Sequence, residues 1–132
     1  MKYINTMNMI NYVMFNFSYE AALIQADKLL NELTTQPIER SGSVIGYSTI
    51  IPQQLKAAMF DLKTHKKVGL VRETNFNWKV GKVANSTNRI ASMFPDYISA
   101  DDGKRIGLRA KILDHAATVY QNTYGASRLL HE

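Results

Sequence analysis

The chain has 132 residues, 45% of them hydrophobic, no cysteine, and a formal charge of +5 with a pI near 9.5. That length suits one domain with a modest core, and the apolar share argues against wholesale disorder. The lack of cysteine excludes disulfides, thiolate metal sites and thiol nucleophiles together, while the basic balance favours a polyanionic partner such as nucleic acid.

The opening stretch, "MKYINTMNMINYVMFNF", has Asn5, Asn8, Asn11 and Asn16 interrupting any signal-peptide core, and no small-residue cleavage site follows. Nor does any stretch approach the roughly 20 apolar residues of a membrane span. It is expected to belong to the mature protein. Tyr3, Met7, Ile10, Met14 and Phe17 step by four and three, which is a narrow helical stripe. Ser18 is placed to cap the next helix, with Glu20 near its positive end. In "YEAALIQADKLLNELTTQ", Ala22, Ala26, Leu29 and Leu33 form the apolar stripe, Leu23 and Leu30 widen it, and Pro37 stops it.

"PIERSGSVIGYSTII" reads as a linker because of Gly42, Gly46 and its serines. Residues 44–51 are rich in β-branched side chains but have no partner strand in the sequence, so an extended arm or loop is expected. Pro52 then suits the first turn of a helix. Leu55, Met59 and Leu62 lie on one side of it, with Lys56, Lys63, Lys66 and Lys67 elsewhere. The expected division is an N-terminal arm with helices over residues 1–51 and a helical bundle over residues 52–132.

The C-terminal half has the clearest pattern. Phe76, Val80, Val83, Thr87, Ile90 and Phe94 make one stripe, which Pro95 is expected to close. Asp101 or Asp102 can cap a second helix, and Gly125 can end it. Its stripe is Ile106, Ala110, Leu113, Ala117, Tyr120 and Tyr124. Both stripes step four, three, four, three, four, and "PDYISADDG" between them predicts an antiparallel hairpin. Leu108, Ile112 and Val119 form a second apolar face, which needs a third helix or another subunit to cover it. The fold class is therefore all-α: a C-terminal antiparallel bundle, four-helix-bundle-like, with an N-terminal helical or extended arm.

Catalytic constellations are missing. His65, His115 and His131 are scattered without a second ligand at helical metal spacing, so no metal is assigned. Asp101 and Asp102 read as caps, and Asp114 beside His115 cannot form a dyad because helix neighbours do not face one another. No P-loop, dinucleotide fingerprint or nucleophile elbow occurs, so no cofactor is assigned and an enzyme is disfavoured.

The basic residues are more informative. Lys56, Lys63, Lys66, Lys67, Arg72, Lys79 and Lys82 face only Asp61 and Glu73 within residues 56–82, while the rest of the chain is balanced. Either a solvated charged face or a phosphate-facing surface has this composition. On a helix over residues 75–94, with Phe76 at zero and about 100° per residue, Lys79, Lys82 and Arg89 fall on one flank at roughly 220° to 300°. Trp78 lies near 200°. It can stack on a partner, but partial burial is the expectation for a lone tryptophan. Lysines in such a flank suit backbone contact better than base reading.

"KVANSTNRIAS" at residues 82–92 and "VYQNTYGAS" at residues 119–127 resemble the C-terminal helix pair of the major coat proteins of rod-shaped and filamentous archaeal double-stranded DNA viruses, the rudiviruses and lipothrixviruses. The resemblance implies an all-helical virion subunit with an N-terminal arm that wraps DNA. It implies pairing with itself or with a paralogous coat protein, and helical stacking around double-stranded DNA held in A form. Some such virions carry a lipid envelope, and no catalytic residue comes with the family. Rod-shaped members have a basic, polar arm, whereas residues 1–17 here are methionine-rich and nearly uncharged. The expected DNA contacts therefore shift to Arg40 and to residues 56–82, with Arg89 on the same helix flank as Lys79 and Lys82.

A helical filament needs two different patches per subunit, and the Tyr3–Phe17 stripe and the Leu108 face are the expected pair. The alternative is a small helical DNA-binding regulator or a host-interacting viral protein. Against it, a loop over residues 95–103 is longer than the three or four residues of a helix-turn-helix.

Overall fold

A computed structural model describes residues 20–131. The stripe of Tyr3, Met7, Ile10, Met14 and Phe17, and the Ser18 cap, lie outside the described residues. In chain order the elements are helix α1 over residues 20–35, a 3-10 turn Ile38–Arg40, and helices α2 Gly42–Ser48, α3 Ile51–His65, α4 Leu70–Ser99 and α5 Asp102–Leu130. No strand occurs among the described residues. The fold is all-α, with the C-terminal helices packed as a bundle.

Helix α1 follows its pattern: Ala22, Ala26, Leu29 and Leu33 are fully buried. In its last turn Thr34 Oγ1 donates back to Leu30 O at 2.8 Å and Thr35 Oγ1 to Asn31 O at 2.7 Å, so both hydroxyls are satisfied within the helix. In α3, Pro52 sits in the first turn and Leu55, Met59 and Leu62 are buried as expected. Buried residues from Ala22 to Leu130 belong to one core, so side chains on both sides of residue 52 share it.

The expected extended linker is a helix instead. Val44, Ile45 and Ser48 of α2 are buried, a spacing that only a helix can turn to one side. Burying Val44 and Ile45 contributes about 3 to 6 kcal/mol. That outweighs the roughly 2 kcal/mol that Gly42 and Gly46 cost as helix formers. Gly42 faces the Phe94 ring of α4, where an added Cβ would stand at contact distance, 3.4 Å.

Two expected helix ends are overrun. Pro95 stands inside α4, which continues to Ser99. Pro95 is exposed, so water can reach the Ala91 carbonyl that its missing N–H leaves unpaired, and buried Tyr97 anchors the extra turn. Gly125 lies inside α5 and has no positive φ, because Ala126 and Leu130 beyond it are buried and hold the helix on course. The link between α4 and α5 is thus Ala100 and Asp101 alone, not a nine-residue loop, and the length argument against a helix-turn-helix falls away. Asp101 caps α5 as expected, accepting from Lys104 N at 2.9 Å.

What separates this hairpin from a helix-turn-helix is its packing. Arg72 meets Leu129, Lys79 crosses Gly125, and Arg105 meets Tyr97 and Ile98, so α4 and α5 run antiparallel along their whole length. On α4 the seam of Phe76, Val80, Val83, Thr87 and Ile90 is buried as expected, with Phe94 packed against it. On α5 the two apolar faces are interchanged. The core face is Ile112, Ala116, Val119, Thr123, Ala126 and Leu130, again stepping four and three. Ile112 and Val119 are fully buried and Leu108 packs on the core, so the face assigned to another subunit belongs to this chain's interior. The stripe expected in the seam lies farther out: Ile106 is 74% and Tyr124 51% exposed, while Leu113 and Tyr120 pack on the edge of the core.

Candidate nucleic-acid interface

The nine cations singled out in the sequence do not form one surface. Arg40 ends the 3-10 turn at the hairpin tip, where its neighbour Glu39 lies 3.7 Å from Arg105. Lys66 and Lys67 occupy the α3–α4 connector at the other end of α4, a helix of 30 residues and so about 45 Å long. One short stretch of duplex backbone cannot touch both ends through one subunit.

Three of the remaining cations are committed inside the chain. Arg72 Nε donates to Leu129 O at 2.5 Å, and its Nη2 is buried with no hydrogen-bond partner among the described residues. This guanidinium pins the end of α5 to the start of α4. Lys79 is half-buried, its Cδ, Cε and Nζ each 3.2 Å from where a Cβ on Gly125 would stand. Lys63 Nζ donates to Glu73 Oε2 at 2.7 Å, which cancels one positive charge beside the hollow lined by Lys56, Phe60 and Asn77. An exposed pair of this kind adds little stability, about 0 to 1 kcal/mol.

The outer face of α4 is where exposed polar groups converge. Trp78, Lys82, Asn85 and Arg89 are all exposed and recur at helical spacing. Trp78 is 62% exposed, against the expectation of a partly buried structural tryptophan, and Lys82 Nζ sits 3.9 Å from its ring centroid. Its position opposite the Phe76 seam is the signal that foretells this exposure. From Thr74 to Pro95 the chain carries Lys79, Lys82 and Arg89 but no carboxylate. Asn75, Asn77, Asn85 and Asn88 add exposed amide donors along the same stretch of about 33 Å. Glu73 and Asp96 stand just outside it.

Sequence reasoning missed a second polar cluster, at the hairpin tip. Arg105 donates from Nε to Tyr97 O at 3.1 Å and from Nη2 to Ile98 O at 2.8 Å, closing the last carbonyls of α4. A hydrogen bond from the Tyr97 hydroxyl holds the Glu39 carboxyl below its usual range, helped by Arg105 and Arg109. Burial, and then the Glu39 carboxylate, push the Tyr97 phenol up. The cluster joins the 3-10 turn to both long helices. Nothing in the linear pattern brings residue 39 to residue 97.

Among the described residues no group of three or more His, Asp or Glu side chains is placed to hold a metal ion, and no helix is long and apolar enough to cross a membrane. No protein-family model matches this sequence, and no curated protein and no solved structure matches it.

Proposed function

We propose that this chain is a structural subunit that lies along double-stranded DNA without sequence preference and assembles with copies or relatives of itself, as the coat subunits of helical virions do. The observation that carries the reading is the outer face of α4: about 33 Å of helix with Lys82 and Arg89 facing outward, exposed amides and no carboxylate to repel a phosphate. Lys82 and Arg89, about 10.5 Å apart on one face, are its principal contacts. Trp78 lies next to them as an apolar plate.

Magnitudes favour an assembly over a single-molecule binder. A duplex carries one charge per about 1.7 Å, so 33 Å of it presents roughly 20 charges to two outward cations. One subunit therefore binds weakly, and useful affinity comes from many subunits acting side by side. Two phosphate contacts imply a log–log salt slope near −1.8, or roughly a 12-fold loss of affinity between 50 and 200 mM salt.

The test is titration of the full chain with two long duplexes of unrelated sequence at several salt concentrations, with electron microscopy of the products. Equal affinities, saturation in proportion to duplex length and regular fibres are expected. Saturation at one preferred site per duplex would overturn the reading in favour of a regulator.

A further inference from the structure

The outer side of α1 and α5 carries a groove lined by Leu23, Ile24, Asp27, Lys28, Tyr120 and Tyr124. It is predominantly apolar. Ile24 is 59% and Tyr124 51% exposed, and the Tyr120 and Tyr124 rings stack with centroids 6.3 Å apart. The groove continues down α5 along the stripe of Tyr120, Ala117, Leu113, Ala110 and Ile106, of which Tyr120 and Leu113 also pack on the edge of the core while Ala110 and Ile106 are exposed. Two bulky aromatics and an isoleucine at the mouth of one groove form a contiguous patch rather than scattered single apolar residues.

We infer that this groove is a self-association surface and that its occupant is the same groove of a second copy, related by a two-fold axis. The charges on its rim carry the choice of occupant. Asp27 and Lys28 are adjacent and exposed, and neither is in an ion pair among the described residues. Both lie one turn from Ile24 on the same side of α1. A two-fold axis passing beside them sets each Asp27 against Lys28 of the second copy, twice over, while the Ile24 and Tyr124 side chains cover one another. An isologous contact must be self-complementary in this way, and a surface carrying a single sign of charge would not be.

The area sets the strength. Helix α1 spans 16 residues, about 24 Å, and two adjacent helices present about 20 Å of width. That gives roughly 500 Å² per copy and about 1,000 Å² in all, at the lower limit for a specific interface. An interface of that size fits a weak, concentration-dependent pair. The inference rests on the reading of the chain as an assembling subunit, and it places one of that subunit's contacts away from α4.

Sedimentation of the full chain without DNA tests it. A monomer–dimer equilibrium is expected in the range of tens of micromolar, and Ile24→Glu weakens it at least tenfold. Asp27→Lys weakens it as well, by setting lysine against lysine, and the exchanged pair Asp27→Lys with Lys28→Asp restores it to within about twofold. Because the chain has no cysteine, Tyr124→Cys gives a single thiol, whose maleimide labelling is expected to slow as the chain is concentrated through the dimer range. A chain that stays monomeric at about 200 µM overturns the inference. So does a double exchange no tighter than Asp27→Lys alone. A monomeric Tyr124→Cys variant whose thiol resists maleimide also overturns it, and assigns the groove to this chain's own residues 1–19 instead. Duplex binding is measured separately on the same variants, none of which touches α4, so loss of pairing and loss of DNA binding are distinct results.

Discussion

Thr123 shows how a single atom can work against the fold. Its residue is fully buried between the long helices, and its Oγ1 has no hydrogen-bond partner among the described residues. An unmet buried hydroxyl costs about 1 to 3 kcal/mol. Thr123→Val keeps the shape and removes the oxygen, so it is expected to stabilise the chain by about 1 kcal/mol, read as a higher urea midpoint with an unchanged slope. Tyr97 works the other way. Its hydroxyl holds the Glu39 carboxyl below the usual range, and a group so lowered stabilises the fold above its unfolded-state pKa and stops doing so as pH falls through the folded one. The Tyr97 phenol is raised, so its share is present below the ordinary phenol range and is lost as pH rises through the raised value. Tyr97→Phe should therefore lower the urea midpoint most between the ordinary carboxylate and phenol ranges, with the difference shrinking as pH falls below the first or rises above the second.

At the scale of elements, helix α4 persists through Pro95, and α5 through Gly125, because tertiary contacts beyond each residue exceed the local penalty. For Pro95 that penalty is the missing N–H and a ring that crowds the preceding turn, about 3 kcal/mol in a helix interior. Pro95→Ala removes it at an exposed position. The expected result is a gain of at least about 1 kcal/mol, seen as a rise in thermal midpoint, with the α4–α5 link unchanged. Helix α2 shows the same principle at the opposite extreme. Seven residues with two glycines do not hold a helix alone, and Val44 and Ile45 supply the burial that does. Ile45→Ala should cost about 2 to 4 kcal/mol, checked by urea unfolding followed by circular dichroism.

Across the whole molecule, positive charge is divided between holding the hairpin together and facing outward. Arg72 and Lys79 bind α4 to α5, whereas Lys82 and Arg89 face solvent. This division is testable on duplex DNA. Replacing Lys82 and Arg89 with alanine should reduce the magnitude of the log–log salt slope by about 1.8, that is about 0.9 per lost contact, with stability nearly unchanged. Arg72→Met should lower stability by about 1 to 2 kcal/mol through the lost bond to Leu129, while leaving the slope as it was. A slope that fell with Arg72→Met and not with the paired alanines would move the DNA face to the α3–α4 end.

Periodicity by itself determined the all-helical class, the inward stripes of α1, α3 and α4, the antiparallel pairing of the last two helices and a cap at Asp101 or Asp102, of which the structure uses Asp101. Each depends on spacing within one segment, and spacing is what a linear text records. Tertiary structure alone decided which face of α5 turns inward. Two interleaved stripes there share one four-three step, and the seam selects the smaller one, with Ala116, Thr123 and Ala126, because long helices pack closely only over small side chains. Of the bulkier pair, Tyr124 is left outside and Tyr120 packs only on the edge of the core. The ends of α4 and α5, the helical state of α2 and the internal roles of Arg72 and Lys79 were likewise settled by contacts between residues far apart in the chain. No local propensity encodes such contacts, since their free energy exists only once the partner segment is in place.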